Sequence, residues 1–545
     1  MSYNNIESKG AIALAKALET NTSIAEINWY SNNIGPDGGI ALAKAIEINT
    51  SITEINLKYN KIGPDGGIAL AKAIEINTSI TEINLDSNKI GPEGAIALAK
   101  ALETNSSITE IDLSFNDIKT KGAIALAKSL ETNTSITTIN LEFNYIESEG
   151  IIALSKSLET NTSILNIDLS FNELGSEGII TLAKALETNT SIFKIKLISN
   201  GIGVDGAITL AKALETNKVL TEIELGCNAI GVDGAIVLAQ TLETNNSIVK
   251  ITLYSNNIGP EGAIALAKVL ETNTSITEID LSSNNIGPEG AIALAKALET
   301  NTSITKIHLN QNEISSEGGI ALAKLLETNT SIIEINLDGG DIEQDILRNI
   351  KIKVEENIQI SQLNDDLISE YLISQNEKMV KATLNFMIDN HGSSTLDFLL
   401  SDMSADQLFQ FFNSLTKYRI DAFSCFNDLN PYLSKLDTNH THSIIIEALS
   451  QKVENKQHVF VLLNKLNLEK LSTQELGAIV DYTRSDNGVT FEEQKELSNK
   501  VKSYIIKSLT TSCDMATQTD NIENLGVELA GAEILGIDQN FEQVI

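Results

Sequence analysis

The chain of 545 residues has few of the side chains that metal, nucleic-acid and disulfide sites require. It contains five histidines and three cysteines, and 39 basic residues stand against 73 acidic ones. Because a nucleic-acid binder must neutralise phosphates with clustered lysine and arginine, the net charge of −34 argues against that class. Cys227, Cys425 and Cys513 are too scattered for a disulfide framework or a zinc cluster, which favours a reducing compartment. We expect no cofactor, no metal and no nucleic acid.

Long hydrophobic segments are also missing. The residues from Met1 to Asn5 lack the basic and apolar regions of a signal peptide. No stretch approaches the run of about 18 apolar residues that a membrane-spanning helix needs. We therefore expect a cytoplasmic protein without a membrane span. Delivery into a host cell by a route that uses no secretory signal peptide is the alternative.

What the chain does have is an internal repeat. A glycine recurs every 28 residues from Gly10 to Gly318, with no insertion or deletion in eleven consecutive intervals. An asparagine keeps the same period and gives a second invariant column. Its members are Asn32, Asn60, Asn88, Asn116, Asn144, Asn172, Asn200, Asn228, Asn256, Asn284 and Asn312. A constant period of this length predicts that each unit is one small structural motif stacked on the next.

Each unit has two halves with different periodicity. Ile279 and Leu281 alternate with polar residues, which predicts a short strand with one buried face. The following segment predicts a helix, with Pro288 in its first turn and Leu294 and Leu298 on its inward face. Parallel strands lie about 4.8 Å apart, whereas packed helices need about 8–10 Å, so the array must curve.

We therefore expect an α/β horseshoe solenoid, with parallel strands on the concave side and helices on the convex side. About 12 repeats span residues 1–345, and a closing helix extends to about residue 360. The asparagine column is expected to be a structural ladder, because a side-chain amide can satisfy backbone groups in the turns of its own and adjacent units.

The repeated motif also carries a family resemblance. The pattern Ile-x-x-Ile-x-Leu-x-x-Asn-x-Ile, followed by Gly-x-x-x-Leu-x-x-Ala-Leu, resembles leucine-rich repeats of the ribonuclease-inhibitor type. The 28-residue period is similar to that of repeat arrays in nucleotide-binding immune receptors. The chain departs from these receptors because it has no nucleotide-binding domain and because isoleucine replaces most of the consensus leucines.

Partners of such solenoids usually bind the concave face. The outward strand positions are acidic near the amino terminus, and lysines interrupt this acidic wall at the centre of the array. Phenylalanines precede three of the ladder asparagines. We predict that this apolar and basic break binds a protein partner, because aromatic anchors dominate binding energy when they are buried. The candidate residues are Phe115, Phe143, Phe171, Lys194, Lys196 and Ile198, together with the acids Glu26, Glu54, Glu82 and Glu110.

Two other interpretations stay open at this point. The three rings could stack on one another as packing and take no part in binding. The acidic positions could be a solvated face that keeps the array soluble. Eleven repeats also contain an Asn-x-Ser sequon, from Asn21 to Asn329. Without a signal peptide, we interpret these sequons as polar turns between helix and strand.

The last third of the chain has no such repeat. Residues 361–510 predict a small helical domain of unknown topology, with capping boxes that begin at Ser404, Ser472 and Thr490. Residues 511–545 form an acidic tail without lysine or arginine, which predicts a disordered segment or a short docking segment.

The predicted function is a non-enzymatic scaffold that binds a protein partner of unknown identity, with no catalytic residue. Two enzymatic alternatives follow from resemblance alone. One is a GTPase-activating protein similar to the Ran GTPase activators. The other is a ubiquitin-ligase-like effector that joins repeats to a helical domain. The spacing around Cys425 and Cys513 does not match the Cys-x-Asp motif of such ligases.

Overall fold

The computed structural model describes residues 2–363, 371, 374, 376–391 and 403–417. The chain divides into two compact units, residues 1–357 and 358–545. Most of the predicted helical domain lies outside the described residues, with its capping boxes at Ser472 and Thr490, as does the whole acidic tail. None of the helices in the described ranges is both long and apolar enough to cross a membrane.

The first unit alternates helices and short strands along its whole length. The helices are α1 (Glu7–Leu18), α2 (Gly35–Ile48), α3 (Gly63–Ile76), α4 (Gly91–Leu102), α5 (Lys119–Leu130), α6 (Glu147–Leu158), α7 (Gly175–Thr188), α8 (Gly203–Thr216), α9 (Gly231–Leu242), α10 (Gly259–Leu270), α11 (Gly287–Leu298), α12 (Ser315–Leu325) and α13 (Gln344–Ser361). The strands are β1 (Glu26–Asn28), β2 (Glu54–Asn56), β3 (Glu82–Asn84), β4 (Glu110–Asp112), β5 (Thr138–Asn140), β6 (Asn166–Asp168), β7 (Lys194–Lys196), β8 (Glu222–Glu224), β9 (Lys250–Thr252), β10 (Glu278–Asp280), β11 (Lys306–His308) and β12 (Glu334–Asn336).

These strands form one parallel sheet of 12 strands, and their order in the sheet is their order in the sequence. The pairing register equals the repeat, so that Glu26 lies opposite Glu54 and Ile27 opposite Ile55. Residues that occupy the same place in successive units are therefore direct neighbours. The predicted horseshoe solenoid of parallel strands and helices is confirmed.

The core is a continuous apolar column between the sheet and the helices. Ile279 and Leu281 of one unit are fully buried together with Leu294 and Leu298 of the following helix. Burying one such side chain contributes about 1.5–3 kcal/mol. Because every unit repeats this arrangement, the stability of the array grows as nearly identical interfaces are added.

The invariant glycine lets neighbouring helices approach closely. A Cβ atom added at Gly150 would lie 2.6 Å from Cγ2 of Ile146 and 3.0 Å from Cβ of Ala123 in the preceding helix. Any larger residue would push α6 away from α5. The 28-residue glycine column is therefore a packing requirement of the convex layer.

The predicted asparagine column lies in the turn that leaves each strand. Asn172 is fully buried, and its Nδ2 donates to the carbonyl oxygens of Leu141 and Leu169 at 2.9 and 3.0 Å. Its Oδ1 accepts the backbone N–H of Asn144 at 2.9 Å. One amide thus joins the turn of its own unit to the turn of the unit before it.

A second asparagine column occupies the opposite turn, between each helix and the next strand. Nδ2 of Asn161 donates to the carbonyl oxygens of Leu130 and Asn133 at 2.9 and 3.1 Å. Its Oδ1 accepts the backbone N–H groups of Ser163 and Ile164. The buried members are Asn49, Asn77, Asn105, Asn133, Asn161, Asn189, Asn217, Asn245, Asn273, Asn301, Asn329 and Asn357.

Most of these residues begin the Asn-x-Ser sequons. They lie between helix and strand, and the structure adds a buried role that the sequence analysis missed. A glycan attaches to the same Nδ2 atom that donates these hydrogen bonds. A glycan on one of these asparagines is therefore incompatible with the folded turn.

The array ends on α13. Ile342 and Ile350 are buried against the last unit. Asn357 of this helix continues the second column by donating to the carbonyl oxygens of Asn329 and Ile332.

In the second unit, the described helices are Glu377–His391 and Ala405–Lys417. Ser404 and Gln407 form the predicted capping box, in which each side chain bonds the backbone N–H of the other. Phe411 and Phe412 are fully buried, with ring centroids 5.3 Å apart.

The second asparagine column leads to a prediction about the free energy of unfolding. Replacing Asn161 with alanine leaves buried N–H and C=O groups without partners, so we expect Asn161→Ala to lower the free energy of unfolding by about 2–4 kcal/mol. Thr162 is exposed in the same turn, and Thr162→Ala should change stability by less than about 0.5 kcal/mol. Urea denaturation of both variants checks this. Equal effects of the two substitutions would contradict a buried ladder.

Candidate functional site

The concave surface is divided by charge. The first outward position of each strand forms one column across the sheet, and its sign changes along the array. From β1 to β12 this column reads Glu26, Glu54, Glu82, Glu110, Thr138, Asn166, Lys194, Glu222, Lys250, Glu278, Lys306 and Glu334.

In the carboxy-terminal half, acids and bases alternate and pair across strands. Lys194 lies 2.8 Å from Glu222, Lys250 pairs with Glu278, and Lys306 lies 3.8 Å from Glu334. Opposite charges in direct register contribute about 0.2–1 kcal/mol each. This half of the concave surface therefore neutralises its own charges.

The amino-terminal half has the opposite arrangement. We name Glu26, Glu54, Glu82 and Glu110 the glutamate column; each lies in register with the next. Within the described residues, no ion pair links any of the four to a cation. Like charges placed directly opposite each other destabilise a sheet. The glutamate column is thus a repulsive arrangement that the fold tolerates.

Partial desolvation adds to this repulsion at the inner end of the column. The Glu110 side chain is exposed, but partial burial of its carboxylate raises its pKa, and the nearby charges of Glu82 and Asp112 raise it further. Burial also raises the pKa of Asp112, against the opposing effect of hydrogen bonds from Ser114. These carboxylates are therefore less stable in their charged form than free carboxylates in water.

The two lysines of the predicted central patch lie beside this inner end. Glu110, Asp112, Lys194 and Lys196 line one concave pocket of about 430 Å³. Lys194 is paired with Glu222, and Lys196 lies 3.5 Å from Asp168. A partner that binds these lysines must compete with acids of the protein itself.

The three predicted phenylalanines lie at the strand exits. The rings of Phe115 and Phe143 stack at a centroid distance of 4.8 Å, and Phe171 lies 6.1 Å from Phe143. Phe115 is nevertheless 40% exposed and Phe171 is 36% exposed. The rings thus stack as the packing interpretation proposes and still present apolar surface to solvent.

The structure does not place the rings and the lysines in one pocket. Phe115 and Phe143 border a separate groove with Tyr59, whereas Lys194 and Lys196 line the concave pocket. Ile198 is half-buried, and its carbonyl oxygen accepts the backbone N–H of Phe171 at 2.7 Å. The idea of one central hot spot stays a prediction.

Sequence analysis missed one further feature of this surface. Lys58 forms an ion pair with Asp86 at 2.5 Å, and the Asp86 side chain is almost fully buried. Lys58 and Asp86 come two residues after the ends of β2 and β3. Their spacing of 28 residues was visible in the sequence, and opposite charges at that spacing are the signal for such a pair.

Neutralising one glutamate is expected to have opposite effects on stability in the two halves of the concave surface. The folded pKa of Glu110 is raised, so its charge costs stability at pH 7, and this cost disappears as pH falls through the raised pKa to below the ordinary value of 4.5. Burial favours a raised pKa for Glu278 too, but the hydrogen bond from Lys250 and the charges of Lys250, Lys306 and His308 together outweigh burial and lower the pKa. The stability that Glu278 contributes at pH 7 is therefore lost as pH falls through that lowered pKa.

We expect Glu110→Gln to raise the urea midpoint at pH 7 and Glu278→Gln to lower it. The Glu110→Gln difference should shrink towards zero once pH falls below the ordinary value of 4.5, whereas the Glu278→Gln difference should persist to lower pH, until that carboxyl is protonated in the folded state as well. Shifts of the same sign for the two variants at pH 7 would contradict the division of the concave surface.

Comparisons with known proteins agree with this geometry. A family model described as a leucine-rich repeat matches residues 1–15, 49–71, 77–99, 104–127, 132–155, 160–183, 216–239, 244–267, 272–295 and 300–323. No curated protein matches the chain in sequence.

Several solved structures also match parts of the chain. One is the leucine-rich repeat-containing protein LegL7 from Legionella pneumophila, at 19% identity and a TM-score of 0.39, covering 55% of this chain and 98% of that one. A chain of the yeast complex of Rad7 and Elc1 matches at 14% identity and a TM-score of 0.41, and the match covers 63% of this chain and 85% of that one. The tropomodulin carboxy-terminal domain of Caenorhabditis elegans matches at 16% identity and a TM-score of 0.26, and the match covers 29% of this chain and 95% of that one. On the family match and the observed architecture, the first unit is a leucine-rich repeat solenoid.

Proposed function

We propose that this protein is a non-enzymatic scaffold that binds a protein partner on the concave face of its repeats. Leucine-rich repeats are typical of protein-interaction scaffolds, and solenoids offer extended concave surfaces for this purpose. We further propose that the glutamate column binds a segment of the partner that is rich in lysine and arginine. The observation that carries this proposal is the contrast between the like-charged column in β1–β4 and the ion-paired column in β7–β12.

The dimensions of the glutamate column suit a peptide segment. Four parallel strands place its outer members about 14 Å apart, which is the length of about four or five residues of extended chain. Lysine and arginine side chains from such a segment would sit between like charges and relieve their repulsion. Complementary charge of this kind sets specificity and association rate more than total affinity.

The predicted patch of Lys194, Lys196, Ile198 and the three rings is proposed as a secondary contact. Its lysines have partners within the protein, so a ligand gains less from them than from the glutamate column, which has no ion pair among the described residues. The 28-residue unit with one strand and one helix supports the proposal that the repeats are of the ribonuclease-inhibitor type.

We also propose a cytoplasmic location. Its support is the second asparagine column, because the sequon amides are already used in buried hydrogen bonds. A chain glycosylated at these residues before folding would lose the turns that join successive units.

Peptide selection tests the proposed binding surface. Random peptides displayed on phage and selected on the full-length protein should become enriched in lysine and arginine. Replacing all four members of the glutamate column with glutamine should weaken the enriched peptides roughly tenfold or more, since each exposed charge pair contributes up to about 1 kcal/mol. Added salt should weaken binding to the unaltered protein as well.

The matched control removes the same charge elsewhere. The exposed helix-end residues Glu131, Glu159, Glu187 and Glu215 are also one repeat apart. The corresponding variant with four glutamines should bind the peptides as the unaltered protein does. If the two variants weakened binding equally, the effect would be one of net charge alone. If the variant without the glutamate column bound the peptides as the unaltered protein does, the glutamate column would be refuted as the binding surface.

A further inference from the structure

An apolar groove lies beyond the ends of β2 to β5, and three of these four strands carry members of the glutamate column. It has a volume of about 290 Å³. Its walls are the rings of Tyr59, Phe115 and Phe143, with Ser87 between them. Tyr59 comes three residues after β2, and Phe115 comes three residues after β4. A peptide bound to the glutamate column would therefore pass close to this groove.

The solenoid does not need aromatic residues at these positions. Phe115 and Phe143 have φ values of 53° and 55°, in the left-handed region that bulky residues seldom adopt. Serine occupies the equivalent place in five other units with nearly the same φ. These serines are Ser31, Ser87, Ser199, Ser255 and Ser283. The turn forms equally with a small residue, so the turn itself does not require these rings, of which Phe115 is exposed and Phe143 is half-buried.

Charge at the mouth of the groove indicates what it binds. Lys61 and Lys89 border it from successive repeats, and both are exposed. Neither forms an ion pair with an acid in the part of the chain that the structure describes. Asp117 is the single acid along the groove. The mouth is thus net positive, whereas the neighbouring strand face is strongly negative.

We infer that the groove of Tyr59, Phe115 and Phe143 receives a large apolar side chain of the partner, with an adjacent carboxylate placed at Lys61 and Lys89. This inference rests on the proposed function, because the same segment carries the basic residues that bind the glutamate column. Glu110 and Phe115 are five residues apart, or about 15 Å along an extended chain. The apolar residue therefore lies within about five residues of the basic ones.

Two synthetic peptides test the groove in the full-length protein. The anchor probe is Lys-Ala-Lys-Ala-Lys-Ala-Lys-Gly-Phe-Asp, and the plain probe has glycine in place of the phenylalanine; both carry a fluorophore and an amidated carboxy terminus. Fluorescence anisotropy gives their dissociation constants. We expect the anchor probe to bind the unaltered protein about fivefold or more tightly than the plain probe, because a buried aromatic anchor dominates such contacts.

The variants separate the groove from the rest of the rim. Phe115→Ser with Phe143→Ser should remove the advantage of the anchor probe, and serine at these positions is compatible with the fold of other units. Phe171→Ser removes a similar ring that does not line the groove, and it should leave the advantage intact. Circular dichroism and thermal unfolding confirm that each variant is folded.

The outcomes distinguish a failure of the groove from a failure of the proposed function. Equal binding of both probes to the unaltered protein, or an advantage that survives in the double serine variant, would overturn the groove. Unchanged binding of the plain probe to the variant lacking the glutamate column would instead overturn the proposed function.

A further variant tests the two lysines. Lys61→Gln with Lys89→Gln should weaken binding of the anchor probe but not binding of a version with asparagine in place of aspartate. Equal weakening of the two probes would overturn the role of the lysines.

Discussion

Each unit of this array turns the chain twice within 28 residues, and the polar backbone groups in both turns are buried. Buried N–H and C=O groups must find partners, because leaving one unpaired costs about 1–3 kcal/mol. The two asparagine columns supply those partners, and every rung reaches into the unit before it. No unit can satisfy its own turns, which gives a physical reason for a constant repeat length.

The constant length has a direct consequence for the concave face. Since the strand register equals the repeat, any two residues 28 apart become neighbours on the sheet. A column of equal charges is therefore repulsive, as at Glu82 and Glu110, and a column of alternating charges becomes ion pairs, as at Lys194 and Glu222. In the part of the chain that the structure describes, one scaffold thus presents an acidic surface without ion pairs in the glutamate column beside one whose charges are paired. The difference between them, more than the net charge of the chain, supports a basic partner.

Much of the fold could be predicted because its signals are local. The alternation at Ile279 and Leu281 indicated β10, and Pro288 with the leucines after it indicated α11. The second asparagine column was missed because Asn-Thr-Ser is also an ordinary turn sequence. Its signal was the asparagine kept at Asn217, where lysine and valine replace the rest of the sequon.

The candidate site was only partly predictable, because its residues come from different units and different faces of the turn. The sequence by itself determined the period, the alternation of strand and helix, and the order of charges in each column, since all three are properties of one unit repeated. The 28-residue spacing indicated which charges could meet, and the tertiary structure decided which of them do. It paired Lys194 with Glu222, left the glutamate column without cations in the described residues, and separated the rings of Phe115 and Phe143 from the lysines. Those outcomes depend on sheet register and on the direction in which each turn leaves its strand, and neither is a property of a single unit.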